Sequence, residues 1–317
     1  MNMKGLRPMG WILVSLVLIA LIAGGALQFA IARNGPAVLD VIDRTAGGAR
    51  GVELVHRETI SDSPQQKVIV YQDAGDENPK PVIIFFHGGS WRSGSPDDYG
   101  FVARALVPEG FTVVLAGYRL VPGGEYPTML ENTAAAIAWA NKNIDRYGGD
   151  PGNIFIAGHS AGAYNVVQVA LERQWLGREG LDPSIIKGVI GLSGPYDFLP
   201  LDSDSTKAAF GGAPDLGATQ PINHIRGDAP PMLLIHGKKD TLVGLHNTQN
   251  LSAAITRAGG AVKAVYFAEM DHNAPLLALA SPWRRDRKLL EVVAEFAAPA
   301  PIPANGKPSV PVQAQTR

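Results

Sequence analysis

The pentapeptide Gly158-His159-Ser160-Ala161-Gly162 follows directly on the apolar run Ile154-Phe155-Ile156-Ala157. That placement fits a strand feeding a sharp, strained turn into a helix, with the Ser160 hydroxyl pushed out above a sheet. Both glycines are needed sterically, because a side chain at either position collides with the neighbouring strand or helix. The pentapeptide alone is a weak sign in a chain with 36 glycines, since short motifs match by chance. A serine that merely caps a helix is the plain alternative. The surrounding pattern has to decide.

That pattern alternates strand and helix from about residue 51 to 296. Residues 52–59 and 67–71 read as two strands joined by the Ser61-Asp62-Ser63-Pro64 turn. Residues 82–86 and 112–116 are short continuous apolar runs, as strands buried on both faces require. Further strands are expected at 154–157, 187–192, 232–235 and 262–267, and helices at 126–143, 161–174, 246–258 and 281–296. The alternation predicts an α/β domain with a mostly parallel central sheet flanked by helices. Ligands of such sheets bind at the carboxyl ends of the strands. Residues 196–230 are too long and aperiodic for an ordinary connection and are expected to form a small cap insertion over the site.

The ends of the chain read differently. Positions 11–31 carry no charged residue and are mostly Leu, Ile, Val or Ala. As a helix this stretch spans about 30 Å, the thickness of a hydrocarbon core. It predicts a membrane anchor over residues 11–32, behind a short tail at 1–10. A removed signal peptide is the alternative, because Ala30-Ile31-Ala32 has the small-x-small form of a cleavage site. The catalytic domain is then expected to be exported, periplasmic or extracellular. Residues 33–50 are expected to be a linker, and the Pro- and Ala-rich residues 297–317 a disordered tail. The net charge of −1 and the absence of a basic stripe argue against a nucleic-acid partner. The chain has no cysteine, which excludes disulfides, a cysteine nucleophile and cysteine-ligated metal. No metal or cofactor motif occurs, so neither is expected.

A serine nucleophile needs a base, an orienting carboxylate and donors for the oxyanion. Each has a candidate after an expected strand. His272 follows 262–267 and is the base. Asp240 follows 232–235 and is the carboxylate, with Asp197 as rival and Asp271 as a weaker one. His87-Gly88-Gly89-Ser90-Trp91 follows 82–86, and its two glycines let backbone amides turn inwards. Gly88 and Gly89 are the expected donors, with Ser90 as a substitute and Ala161 as the donor after the nucleophile. His87 and His236 read as loop braces, and Arg119 as a structural partner of a carboxylate. Trp91 and Tyr164 are candidates for lining a substrate pocket, although aromatics there are as often core. The order Ser160, Asp240, His272 is that of the α/β-hydrolase template.

With these residues in place, the chain resembles α/β-hydrolase carboxylesterases related to hormone-sensitive lipase. Within that group it is most similar to the kynurenine formamidase-like and isoprenylcysteine methylesterase-like branch. The resemblance covers roughly residues 51–296. It rests on His87-Gly88-Gly89-Ser90-Trp91, Tyr118-Arg119-Leu120, Gly148-Gly149-Asp150-Pro151, the serine pentapeptide, His236-Gly237 with Asp240, and Asp271-His272. It implies an α/β-hydrolase fold, a Ser160–His272–Asp240 triad and a small-molecule ester substrate. Lipase-like members often carry three glycines after the histidine, whereas Ser90 and Trp91 follow two here. That departure moves the likeness towards the formamidase-like branch and leaves an amide substrate open. A membrane-tethered, non-catalytic binding protein on the same fold is the alternative of another class.

Overall fold

The computed structural model describes residues 8–75 and 78–298. Strands β1 (Val52–Thr59), β2 (Lys67–Asp73), β3 (Lys80–Phe86), β4 (Thr112–Ala116), β5 (Gly149–His159), β6 (Ile186–Leu192), β7 (Met232–Gly237) and β8 (Val262–Phe267) form one sheet. Its order is β1-β2-β4-β3-β5-β6-β7-β8. The β1–β2 and β2–β4 pairs are antiparallel, and the others are parallel. Helices α1 (Pro8–Asp43), α2 (Gly100–Leu106), α3 (Thr128–Asn143), α4 (Ala161–Leu171), α5 (Arg173–Arg178), α6 (Asp204–Phe210), α7 (His246–Arg257), α8 (Ala274–Leu277) and α9 (Lys288–Ala297) connect and cover it.

The continuous apolar strands are explained by two cores, one on each face. On β3, Val82, Ile84 and Phe86 pack with residues of α3 and α4 such as Ile137 and Val166. Ile83 and Phe85 pack on the other face with Phe101 and Val102 of α2 and Leu289 of α9. Successive strand side chains point to opposite faces, so a strand covered on both sides must be apolar throughout. This is the expected mostly parallel sheet, and it places the carboxyl ends of β3, β5, β7 and β8 along one edge, with β6 between β5 and β7.

Two expected helices differ. Residues 161–174 break at Glu172, where φ is −108° and ψ 106°. There the Glu172 carboxylate accepts from Gln168 Nε2 and, at 3.1 Å, from Trp175 Nε1. Residues 281–296 begin as a turn at Trp283–Arg285, and α9 starts only at Lys288. The turn is held by Asp43, which accepts from the Ser281 amide at 2.7 Å and from Arg284 Nη2 at 3.1 Å.

The same aspartate belongs to the largest departure from expectation. Residues 33–50 are not a linker. Helix α1 is bent at Asn34 (φ −156°, ψ 81°), and its second segment docks on the domain. Asn34 Oδ1 accepts from the Ala37 amide at 3.2 Å and caps that segment. Pro36 fits the first turn, where no intrahelical N–H is required. Asp40 and Asp43 are 3% and 0% exposed and clasp the buried Arg104 of α2 through Nη2 and Nε, each at 2.6 Å. A charged cluster of this burial needs every partner.

The first segment of α1 leaves the domain. Leu16, Ile19, Leu21, Ile22, Phe29 and Ile31 are all exposed. Among the described residues no single helix is long and apolar enough to cross a membrane. Ser15–Ile31 and Arg33–Gly48 reach that length only together, with a 112° bend between them. The tail expected at 297–317 lies, beyond residue 298, outside the described residues. The 196–230 insertion holds α6 and short turns at Gly217–Thr219 and Pro221–Asn223. It is tied back by Ile222 N to Tyr196 O at 3.1 Å and by Tyr126 N to Ala209 O at 2.9 Å.

Candidate active site

Ser160 joins β5 to α4 with φ 53° and ψ −118°, a strained conformation for an L residue. The turn closes because nothing projects from its glycines. A Cβ on Gly158 would lie 2.6 Å from the Ala163 nitrogen. One on Gly162 would lie 2.6 Å from the His87 carbonyl oxygen and closer still to that of Phe86. The Ser160 amide is anchored to the Leu192 carbonyl of β6 at 2.8 Å. The hydroxyl therefore has one place to go, above the strand ends.

His272 meets it there. Ser160 Oγ lies 3.0 Å from His272 Nε2, and His272 Nδ1 lies 2.8 Å from Asp240 Oδ2. The acceptor at Nδ1 assigns the proton to that nitrogen and leaves the Nε2 lone pair for the serine hydroxyl. Asp240 Oδ1 accepts from the Leu242 and Val243 amides, each at 2.9 Å. Burial alone would raise the Asp240 pKa. Hydrogen bonds from His236, His272 and the Val243 amide outweigh it and hold the carboxyl well below the usual range. The rivals are occupied elsewhere. Asp197 accepts from Asn250 Nδ2 at 2.7 Å, and Asp271 caps α8 through the Asn273 and Ala274 amides.

Three further histidines are buried around the site, and two of them hold members of the Ser160–His272–Asp240 chain in place. His236 is fully buried, with Nδ1 2.8 Å from Thr248 Oγ1 and Nε2 2.9 Å from the Val243 carbonyl and 3.3 Å from Asp240 Oδ2. It thus braces the loop that carries Asp240. His87 stacks on Tyr118 at 4.6 Å, and the Tyr118 hydroxyl donates to the His87 carbonyl at 2.9 Å. Burial lowers its pKa to about 4. His159, to which the sequence analysis assigns no role, places Nε2 2.8 Å from the His272 carbonyl. It therefore donates to that carbonyl and steadies the backbone of the base. Burial, with the adjacent His272, lowers its pKa to about 3. Nothing in the sequence marks this role, because it depends on a carbonyl 113 residues away.

Gly89, Ser90 and Trp91 have φ of 119°, 53° and 57°. This left-handed run lets the Gly89 carbonyl accept from both the Arg92 and Ser93 amides at 3.0 Å. Gly88 packs under the nucleophile, where a Cβ would lie 3.2 Å from Ser160 Cβ. Its amide, an expected oxyanion donor, lies close to the buried Tyr99 hydroxyl. The Gly89 and Ser90 amides have no protein acceptor among the described residues. Ala161 opens α4, where amides point out of the helix end. Arg119 pairs with Asp62 at 2.7 Å, a structural contact.

Two cavities flank Ser160, one of about 280 Å³ and one of about 300 Å³. Trp91 lines the first, together with Phe198 and Leu199 of the 196–230 insertion. Tyr164 lines neither. It is fully buried behind Trp91 in edge contact at 5.4 Å, and its hydroxyl donates to the Thr219 carbonyl at 2.8 Å. One helical turn past the nucleophile is the core side of α4.

Comparison with known proteins finds similarity to esterases. The BD-FAE family profile matches residues 69–255. Esterase LipC of Mycobacterium tuberculosis is 30% identical over 227 residues, covering 64% of this chain and 56% of LipC. A probable isoprenylcysteine alpha-carbonyl methylesterase of Arabidopsis thaliana is 26% identical, covering 67% of this chain and 49% of the relative. The chain thus spans about half the length of the curated relatives it matches. Among solved structures, esterase B of Lactobacillus rhamnosis superposes with a TM-score of 0.70 at 20% identity, covering 86% of this chain and 95% of that one.

Proposed function

The chain belongs to the BD-FAE family, and from that premise we propose that it is a serine carboxylesterase working through an acyl-enzyme. One observation carries the reading: the continuous contact from Ser160 Oγ through the His272 ring to Asp240, at 3.0 and 2.8 Å. His272 Nε2 takes the hydroxyl proton as Oγ attacks the ester carbonyl. The same nitrogen returns it to the departing alcohol. Asp240 fixes the tautomer and stabilises the imidazolium without taking the proton. The Gly88, Gly89 and Ala161 amides, with the Ser90 amide as a substitute, receive the oxyanion. A water then takes the place of the alcohol, and the cycle runs again to release the acid.

Burial of His236 and His159 beside the triad supports the reading, because it fixes two of the reacting groups before substrate arrives. The cavity of about 280 Å³ lies at the small end of ligand pockets and suits a short acyl group. The apolar, exposed first segment of α1 is the basis for a second part of the proposal. It tethers an exported catalytic domain to a membrane. Retention of the full chain in the pellet after alkaline carbonate extraction is the expected result, and release into the supernatant refutes the tether.

The test of the chemistry is fluorophosphonate labelling of wild type beside Ser160→Ala, followed by turnover of a short acyl ester and an N-formyl arylamide. Labelling of wild type alone, with faster ester cleavage, is expected. Faster cleavage of the amide would replace the esterase with an amidase on the same triad. Absence of labelling in a folded wild type would leave a binding protein.

A further inference from the structure

The two cavities beside Ser160 are not equivalent. The proton for the departing alcohol comes from His272 Nε2, so the alcohol must lie on the side of the serine that His272 faces. His272 lines the cavity of about 300 Å³ and not the other. That cavity therefore takes the alcohol part of the ester, and the cavity beside Trp91 takes the acyl part.

Their charges are opposite. The acyl cavity is lined by two carboxylates, Asp197 and Asp202, and by no lysine or arginine. The alcohol cavity is lined by Arg33 and by no aspartate or glutamate. Arg33 has no ion pair among the described residues, so its charge is not spent on a neighbour. Its backbone is placed by its neighbours: Asn34 donates from Nδ2 to Asp98 Oδ2 at 2.9 Å, and further along the helix Asp40 and Asp43 lock the segment to the domain. The bend of α1 thus carries the cation to the mouth of the site.

We propose that this cleft selects esters whose alcohol part is negatively charged, with Arg33 as the specificity-determining residue. The joint between the two segments of α1 is then part of the substrate-binding surface. This rests on the esterase reading above. A guanidinium and an anion at this depth attract one another through partly screened solvent, so the preference is modest and falls with added salt.

The experiment compares kcat/KM for 4-acetoxybenzoate and 4-acetoxybenzamide with the full chain in a neutral detergent. The two esters share an acyl group and nearly a size, and differ in the charge of the departing phenol. We expect Arg33→Glu to lower the acid-to-amide ratio about tenfold, a change of roughly 1.4 kcal/mol, and Arg33→Lys to keep most of it. Lys263→Glu makes the same change in net charge on β8, away from both cavities, and controls for long-range field. A ratio equally unmoved by Arg33→Glu and Lys263→Glu overturns the inference while the esterase reading stands. Turnover of neither ester above a Ser160→Ala background overturns both.

Discussion

Gly162→Ala tests whether the serine turn is built by contact between backbones. The added Cβ would sit 2.6 Å from the His87 carbonyl oxygen and nearer still to that of Phe86. Ordinary contact needs at least 3.4 Å, so α4 must withdraw from β3 by about 1 Å. Neither partner is a flexible side chain. Overpacking at such a place costs about 3 kcal/mol, which in a domain of this size lowers Tm by roughly 6 °C. The withdrawal also carries the Ala161 amide and Ser160 away from the Gly88–Ser90 loop. A displacement of about 1 Å costs on the order of 100-fold in rate.

Gly177→Ala is the matched control. Gly177 lies in α5 with nothing within 4 Å of a new Cβ. Alanine there restricts the unfolded chain and stabilises by about 0.5 kcal/mol. The assay is thermal unfolding of both variants, with fluorophosphonate labelling rates beside wild type. The expected result is opposite signs in Tm and slow labelling in Gly162→Ala alone. A Gly162→Ala protein that melts and labels like wild type refutes the close-contact account of the turn.

Asp240→Asn should keep the fold and lower kcat about 10⁴-fold, because an amide in that place no longer enforces the Nδ1–H tautomer of His272; steady-state turnover of a short ester checks it. Acid should weaken the fold through the buried neutral histidines. His87 and His159 have folded pKa values of about 4 and about 3, below an unfolded value near 6.5. Between those limits the unfolded chain binds the extra protons, so stability is full above about pH 6.5 and falls as pH drops towards the folded values. At full titration His87 can contribute about 3 kcal/mol and His159 about 5 kcal/mol. Tm measured from pH 7 to 4 should fall less steeply in His87→Asn than in wild type. Arg104→Met leaves Asp40 and Asp43 buried without their shared cation and should cost about 3 kcal/mol in chemical denaturation.

What the sequence made legible shares one property: it is written in local pattern. The strands at 52–59, 112–116 and 262–267 appear at the expected bounds because runs rich in Val, Leu, Thr, Tyr or Phe meet turn residues there, such as Gly51, Gly117 and Gly260. Ser160, Asp240 and His272 each follow such a run, and the parallel sheet brings their ends together. What was not legible depends on contacts distant in sequence. Tyr164 is buried by Phe198 and Phe210 of the insertion. His159 acts on a carbonyl of the last loop. A position in a motif fixes where a residue starts, but its partner fixes what it does.

Residues 33–50 press that point furthest. They are expected to be a linker, yet Asp40 and Asp43 complete the charge balance of Arg104, which is only 6% exposed. A chain begun at residue 51 would strip this arginine of both carboxylates, release the turn at Ser281 that Asp43 holds, and remove one wall of the alcohol cavity. The functional unit therefore begins no later than Arg33. Because that residue is also where the exposed apolar segment ends, any membrane that takes up the segment sets the mouth of the alcohol cavity at its surface. On the proposed reading, a truncation that removes residues up to 50 alters both the packing of the domain and the cleft beside Ser160.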